Sequence, residues 1–265
     1  MHRRAATSPI PGLPVVWALA TALSACGETA ISITDPDKAS EPAPEIDLER
    51  GLFAHFPCDE EEPGSEVLDA SGNGHHGVPS DPPPTPSLSV PPVGFDNPRS
   101  LSFDGVAALV DLGNPEGLNL SGNVTLSAWI RPLALDGFRN VIAHGFRWMP
   151  SAEVVLRISD EDYEFAAWNS RDHIASAPVP PGDIDNWHHL VGVYDGASYR
   201  LYRDGELVVT HPESFAPTPV DAPWAIGGRS ATMPDEGRYF SGLIDDVRIY
   251  GRALSDAEVR ELFRR

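Results

Sequence analysis

The sequence predicts an all-β sandwich closed by one short C-terminal helix, and three observations carry that prediction. From residue 49 onward, apolar and polar residues alternate in short runs of four to nine, each rich in β-branched or aromatic side chains, which is the period of strands. Gly 23 and Pro 27 punctuate the 265 residues, which favours many short elements over long helices. Only one stretch carries a helix-start signal.

In chain order, the first segment is read as no part of the fold. His2-Arg3-Arg4 is a short basic start, and Val15 to Ala22 is an apolar run too short to span a bilayer. Leu23-Ser24-Ala25-Cys26 then resembles the lipobox of bacterial lipoproteins, which implies cleavage after residue 25 and a lipid on Cys26. An ordinary secretory cleavage after Ala20-Thr21-Ala22 is the alternative. Gly27, where an aspartate would signal retention, implies by the same resemblance the outer membrane or cell surface. Residues 26–48, with DPDKASEPAPE at their centre, lack periodic apolar residues and are read as a flexible tether. Cys58 is then alone in the mature chain; in LFAHFPCDE it is expected to be a buried structural thiol.

The remaining chain, 49–265, is expected to form one domain. Its strand patterns are LFAHF, SLSFDG, VTLSAWI, EVVLRIS, YEFAAW, HHLVGVY, SYRLYRDGELVV and LIDDVRIY. Residues 78–98 carry eight prolines in 21 positions and cannot form a central strand, so they are assigned to an exposed loop of polyproline character. Ser255-Asp-Ala-Glu258 is a capping box, and Val259, Leu262 and Phe263 share one face of the helix it opens.

Several of these pieces, in this order, resemble the laminin-G-like, concanavalin-A-like lectin/glucanase superfamily. GLFAHFPCDE with LDASGNGHHG looks like its opening strand and loop, and VTLSAWIRP like the strand bearing its tryptophan, here Trp129. NWHHLVGVYDGASYRLYRDGELV is the most distinctive piece, and IGGR with YFSGLIDDVRIYGRALSDAEVREL closes the match over about residues 50–264. The resemblance implies a two-sheet antiparallel jelly roll, whose members mostly bind carbohydrate or protein surfaces without catalysis.

Composition narrows the partners. A formal net charge of −20 disfavours nucleic acid; the resemblance implies a glycan or a surface protein as the partner, and the lipobox implies membrane contact through the N-terminal lipid only. The loop DASGNGHHG (69–77) brings two histidines, but adjacent side chains diverge and no third zinc ligand stands at suitable spacing. His75 and His76 are therefore read as turn and surface residues. Many members of the superfamily hold a structural calcium between first and last strands. The resemblance carries that calcium onto Asp59, Asn73 and Asp245, with a metal-free turn as the alternative. His189 shares a face with Trp187, Val191 and Val193 and is expected to be a hydrogen-bonded core histidine. The superfamily's glucanases place their carboxylates on one strand; Asp160, Asp162 and Glu164 come nearest, but SDEDYE reads as an exposed hairpin tip, so no catalytic residue is assigned. The candidate recognition residues are the loop-borne aromatics Trp148, Trp168 and Trp224 (with Phe146 nearby), together with Asn169 and Arg171.

Overall fold

The computed structural model describes residues 46–118, 120, 122–145, 154–168, 172–230, 232 and 238–265. Cys26 and the tether, and the candidates Phe146, Trp148, Asn169 and Arg171, lie outside these residues.

The strands in chain order are β1 (Leu52–Phe56), β2 (Val78–Pro79), β3 (Thr85–Ser87), β4 (Ser100–Asp104) and β5 (Val110–Gly113). There follow β6 (Val124–Pro132), β7 (Phe138–His144), β8 (Val154–Ser159), β9 (Asp162–Trp168) and β10 (Asp172–Pro178). The last are β11 (His188–Tyr194), β12 (Ser198–Arg203), β13 (Glu206–Pro212), β14 (Trp224–Ile226) and β15 (Ser241–Tyr250), before helix α1 (Asp256–Arg264). They form two antiparallel sheets. One runs β13-β12-β11-β6-β15-β4-β3 with β1 also paired to β15, and the other runs β10-β9-β8-β7-β14-β5-β2. This is the expected sandwich, a jelly roll.

The core lies between the sheets. Phe56, Leu126, Ile130, Leu156, Phe165, Leu190, Trp224 and Ile244 are fully buried in it. Contact there is close enough that Gly192 of β11 faces the ring of Phe165, leaving no room for a side chain. A second, smaller core covers the other face of the eight-stranded sheet, where Val259 and Leu262 of α1 pack on Val191, Val193 and Tyr250. The helix starts as its capping box dictates: the Glu258 amide donates to Ser255 Oγ at 3.3 Å, and the Ser255 amide donates to Glu258 Oε2 at 2.8 Å.

His189 sits on the sheet face under that helix as expected, 1 % exposed, 2.9 Å from Ser127 Oγ and packed against Trp129 and Phe263. Cys58 is likewise a buried free thiol, its Sγ donating to the Phe56 carbonyl, but β1 ends at Phe56 and Cys58 turns the chain with φ 61°. The proline-rich segment forms no central strand. It nevertheless contributes β2 to one sheet and β3 to the other, both at edges, where Pro79 and Pro86 need no ladder donor.

Candidate functional site

The outer face of the seven-stranded sheet carries the arrangement best suited to a ligand. Directly paired residues of antiparallel strands share a face, so the ladder defines rows running across the strands. One row is Phe138–Ser159–Asp162, the next Asn140–Arg157–Glu164–Ser176, the next Ala143–Val155–Ala166–Ile174, and the last Trp168–Asp172. Aromatic, polar, apolar and aromatic rows therefore succeed one another along the strands. The alternation that buries Leu156, Phe165 and Ala175 inward places these rows outward.

Two features organise this face. Arg157 donates from Nε to Glu164 Oε2 at 2.7 Å, with both side chains 11 % exposed, so the pair is largely removed from water. Phe138 lies beneath two guanidinium groups, its ring centroid 4.7 Å from Arg157 Cζ and 4.4 Å from Arg238 Cζ, in cation–π geometry. Phe138 and Trp168 remain 42 % and 37 % exposed. A cavity of about 400 Å³ lies among Phe138, Arg157, Glu164, Trp168, Asp172 and Arg238.

Trp168 is exposed and lines this cavity. Trp224 is not, and that expectation is corrected: it is fully buried, donates Nε1–H to the Leu118 carbonyl at 2.7 Å and stacks on His144 at 4.5 Å. Its strand β14 lies between β5 and β7, and its ring faces inward. The hairpin tip is real at Asp160 and Glu161, which take φ values of 46° and 75°. Asp162 and Glu164, however, belong to β9, and Glu164 is buried rather than held at an exposed tip. Sequence reading missed Phe138, Arg157 and Arg238. The alternation through 154–168 could have shown Arg157 and Glu164 sharing a face; their direct pairing depends on the hairpin register.

The expected calcium ligands do not converge as a set. Asn73 donates its amide to the Leu52 and Phe53 carbonyls, docking the 69–77 loop on the start of β1. Leu52 pairs with Tyr250, five residues beyond Asp245 on β15, which puts Asn73 about 15 Å from Asp245. The loop is a self-satisfied turn centred on Asp69, whose carboxylate accepts from the amides of His55, Ser71 and His75. Burial acts to raise Asp69, and these hydrogen bonds overcome it, leaving it below the usual range. His76 Nδ1 accepts from the Asp69 amide, and both histidines are turn residues.

Asp59, by contrast, acts on Asp245 through its charge. β15 pairs with β4 through Ile244 and with β1 from Val247; Asp245 still pairs with Trp129 of β6, and a bulge follows it, where Asp246 takes φ 43°. Asp245 is fully buried, accepts from Asn97 Nδ2 at 3.0 Å and is pushed up to about 8, chiefly by burial and further by Asp246 and Asp59. Burial would raise Asp246 too, but His55 at 2.7 Å and Arg248 hold it well below the usual range. Asp59 accepts from the Arg99 amide and is raised by burial. Among the described residues, no three His, Cys, Asp or Glu side chains form a metal-ligand group.

The fold is that of a lectin-like β-sandwich. The chain belongs to the concanavalin A-like lectin/glucanases superfamily, which it matches over residues 104–260. A curated relative is adhesion G-protein coupled receptor V1 of Danio rerio, 26 % identical over 180 residues; the match covers 63 % of this chain and only 3 % of that receptor. Among solved structures, domain 4 of AbnA, a GH43 extracellular arabinanase from Geobacillus stearothermophilus in complex with arabinotriose, aligns with a TM-score of 0.60 at 21 % identity, covering 80 % of this chain and 98 % of that one. The receptor-binding domain of botulinum neurotoxin D aligns at 0.58 and 14 % identity, covering 82 % and 53 %. These structural likenesses are of fold. No helix among the described residues is long and apolar enough to cross a membrane.

Proposed function

We propose that this protein is a non-catalytic recognition module that binds glycan on the outer face of its seven-stranded sheet. The observation that carries this reading is the exposed indole of Trp168 at a cavity of about 400 Å³ that Arg157, Glu164, Asp172 and Arg238 also line. An exposed indole offers a stacking surface to the C–H faces of sugars, and the carboxylate and guanidinium groups of the cavity lining offer acceptors and donors to hydroxyl groups. The arabinotriose complex of the GH43 domain supports the choice of glycan over protein. A hydrolase would need a general acid free to hold and release a proton. Glu164 is instead engaged by Arg157, which supports binding without bond cleavage.

A glycan-array screen of the protein, with Trp168→Ala alongside, tests this. The reading expects a defined set of glycans bound by the wild type and lost in the variant at unchanged melting temperature. Silence of the wild type on the array would refute it and move attention to a protein partner.

Two further parts of the reading concern anchoring and metal. Lipidation of Cys26 would present the domain at the outer membrane or cell surface; Cys26→Ser should then leave the protein unprocessed, and unchanged processing and membrane partition would contradict it. A calcium ion would be held by Asp59 and Asp245 at the strand junction, where it would supply positive charge to a carboxyl otherwise held protonated by burial. Asn73 would have no part in it.

A further inference from the structure

We infer that the protein associates with a second copy of itself through the edge of β13, so that two eight-stranded sheets join antiparallel into one. The edge of a sheet exposes backbone donors and acceptors, and folded proteins blunt it with short strands, proline, charge or a covering loop. The two strand orders end at β13 and β3 and at β10 and β2. β3 and β2 are three and two residues long and carry Pro86 and Pro79. β10 opens on Asp172 and closes on Pro178. The open side of β1 is covered by the 69–77 loop, where Ala70 and Asn73 donate to its carbonyls. β13 differs from all of these. It runs for seven residues, exposed at every position but Val209, with Leu207 and Val208 46 % and 47 % exposed. No lysine, arginine or carboxylate stands from Leu207 to His211.

The strand complements itself in one register. Leu207 and Thr210 pair with Tyr202 and Arg200, so they share the outer face of the sheet, where Tyr202 packs under α1 and Arg200 reaches Asp256 of that helix. Glu206, Val209 and His211 pair with Arg203, Leu201 and Tyr199, and the core position of Leu201 and Tyr199 puts these three on the inner face. A bulge at Val208 produces this break in alternation. Antiparallel pairing with a second copy then keeps both faces matched over the whole of Glu206–His211 when Leu207 lies opposite Thr210 and Glu206 opposite His211. A slip of one residue would set outer side chains against inner ones. In the matched register valines 208 and 209 meet at the centre, an acid meets an imidazole at each end, and no like charges oppose each other. The two-fold axis of this pairing stands perpendicular to the sheet, so the outer faces of both seven-stranded sheets look the same way and can engage one surface together. The chain's charge of −20 opposes the approach of two copies, and salt screens that repulsion.

The experiment is sedimentation equilibrium of the purified protein between about 1 and about 200 μM. Leu207→Lys, Val208→Lys and the double variant Leu207→Cys with Thr210→Cys are run alongside. The wild type is expected to dimerise in the micromolar range, at least about threefold tighter in about 500 mM than in about 50 mM NaCl. Each lysine variant should weaken the dimer at least about tenfold while unfolding at the wild-type temperature. Under oxidised glutathione the cysteine variant should form a covalent dimer, because positions 207 and 210 of one strand stand about 10 Å apart, too far for a disulfide within one copy, and face each other across the junction. A wild type that is monomeric at about 200 μM overturns the inference and leaves the edge to a strand from another protein. Dimers that withstand both lysine variants, or that salt loosens, place the contact elsewhere and overturn it equally. Dimers that yield no covalent product overturn the register.

Discussion

Gly192 offers a quantitative test of how the two sheets meet. A Cβ built on it would lie 2.2 Å from Cγ and Cδ2 of Phe165 and 2.7 Å from its Cβ, against ordinary contact at 3.4 Å and beyond. The clash is with the stem of the side chain, so rotation about χ2 cannot relieve it. Phe165 must retreat by more than 1 Å, yet it is fully buried and packs against Tyr199 at 5.5 Å. Overpacking of this kind costs about 1–3 kcal/mol, and the position of the clash places Gly192→Ala near 3 kcal/mol. Phe165→Ala alone should cost about 3–5 kcal/mol by leaving a cavity. In the double variant the new methyl occupies part of that cavity, so the two costs should fall short of additivity by about 1–3 kcal/mol. Urea unfolding of the wild type and the three variants measures each term. A cost for Gly192→Ala below about 0.5 kcal/mol, or an additive cycle, would show that β11 and β9 do not touch at this point.

Other consequences follow from buried charge. Arg157→Met strands the Glu164 carboxylate and should cost about 3 kcal/mol, whereas Arg157→Met with Glu164→Leu should recover most of it; chemical denaturation that finds the double variant the weaker would oppose this. His144 and His189 are each pushed down to about 4 by burial, with weaker contributions from Ala222 and Val220 carbonyls at His144 and from Asp246, Arg248 and Asp204 at His189. A histidine whose folded value lies below its unfolded one favours folding above about pH 6.5, and that contribution is lost as pH falls toward 4, up to about 3 kcal/mol for each. Asp245, raised to about 8, acts in the opposite sense over that range. The difference between wild-type and His189→Gln stability profiles from pH 7 to 4 therefore isolates the histidine, and a constant difference would refute its neutral burial. Calcium at the strand junction should raise the melting temperature, EDTA should reverse the effect, and Asp245→Asn should abolish it; no response in the wild type rejects the ion.

The sequence by itself determined the sandwich and most of its strands, because both rest on local physics, although β2, β3, β7, β10 and β14 were not among the strand patterns it showed. Period-two alternation, glycine and proline at the turns and the Ser255–Glu258 capping box are each decided within a few residues, and all held. The burial of His189 and the turn role of His75 and His76 were legible for the same reason. What crosses strands was not. Trp224 looked loop-borne among prolines and glycine, yet pairing with β5 and β7 turns its ring into the core. Asn73 looked like a ligand beside Asp59, but it is spent on β1 carbonyls at the far end from Asp245. Phe138, Arg157, Glu164 and Trp168 come together only through the registers of β7, β8, β9 and β10. Register is a tertiary quantity: a one-residue slip would send every one of those side chains to the opposite face. The chain's chemistry thus named the fold, while strand pairing decided which residues face a ligand together.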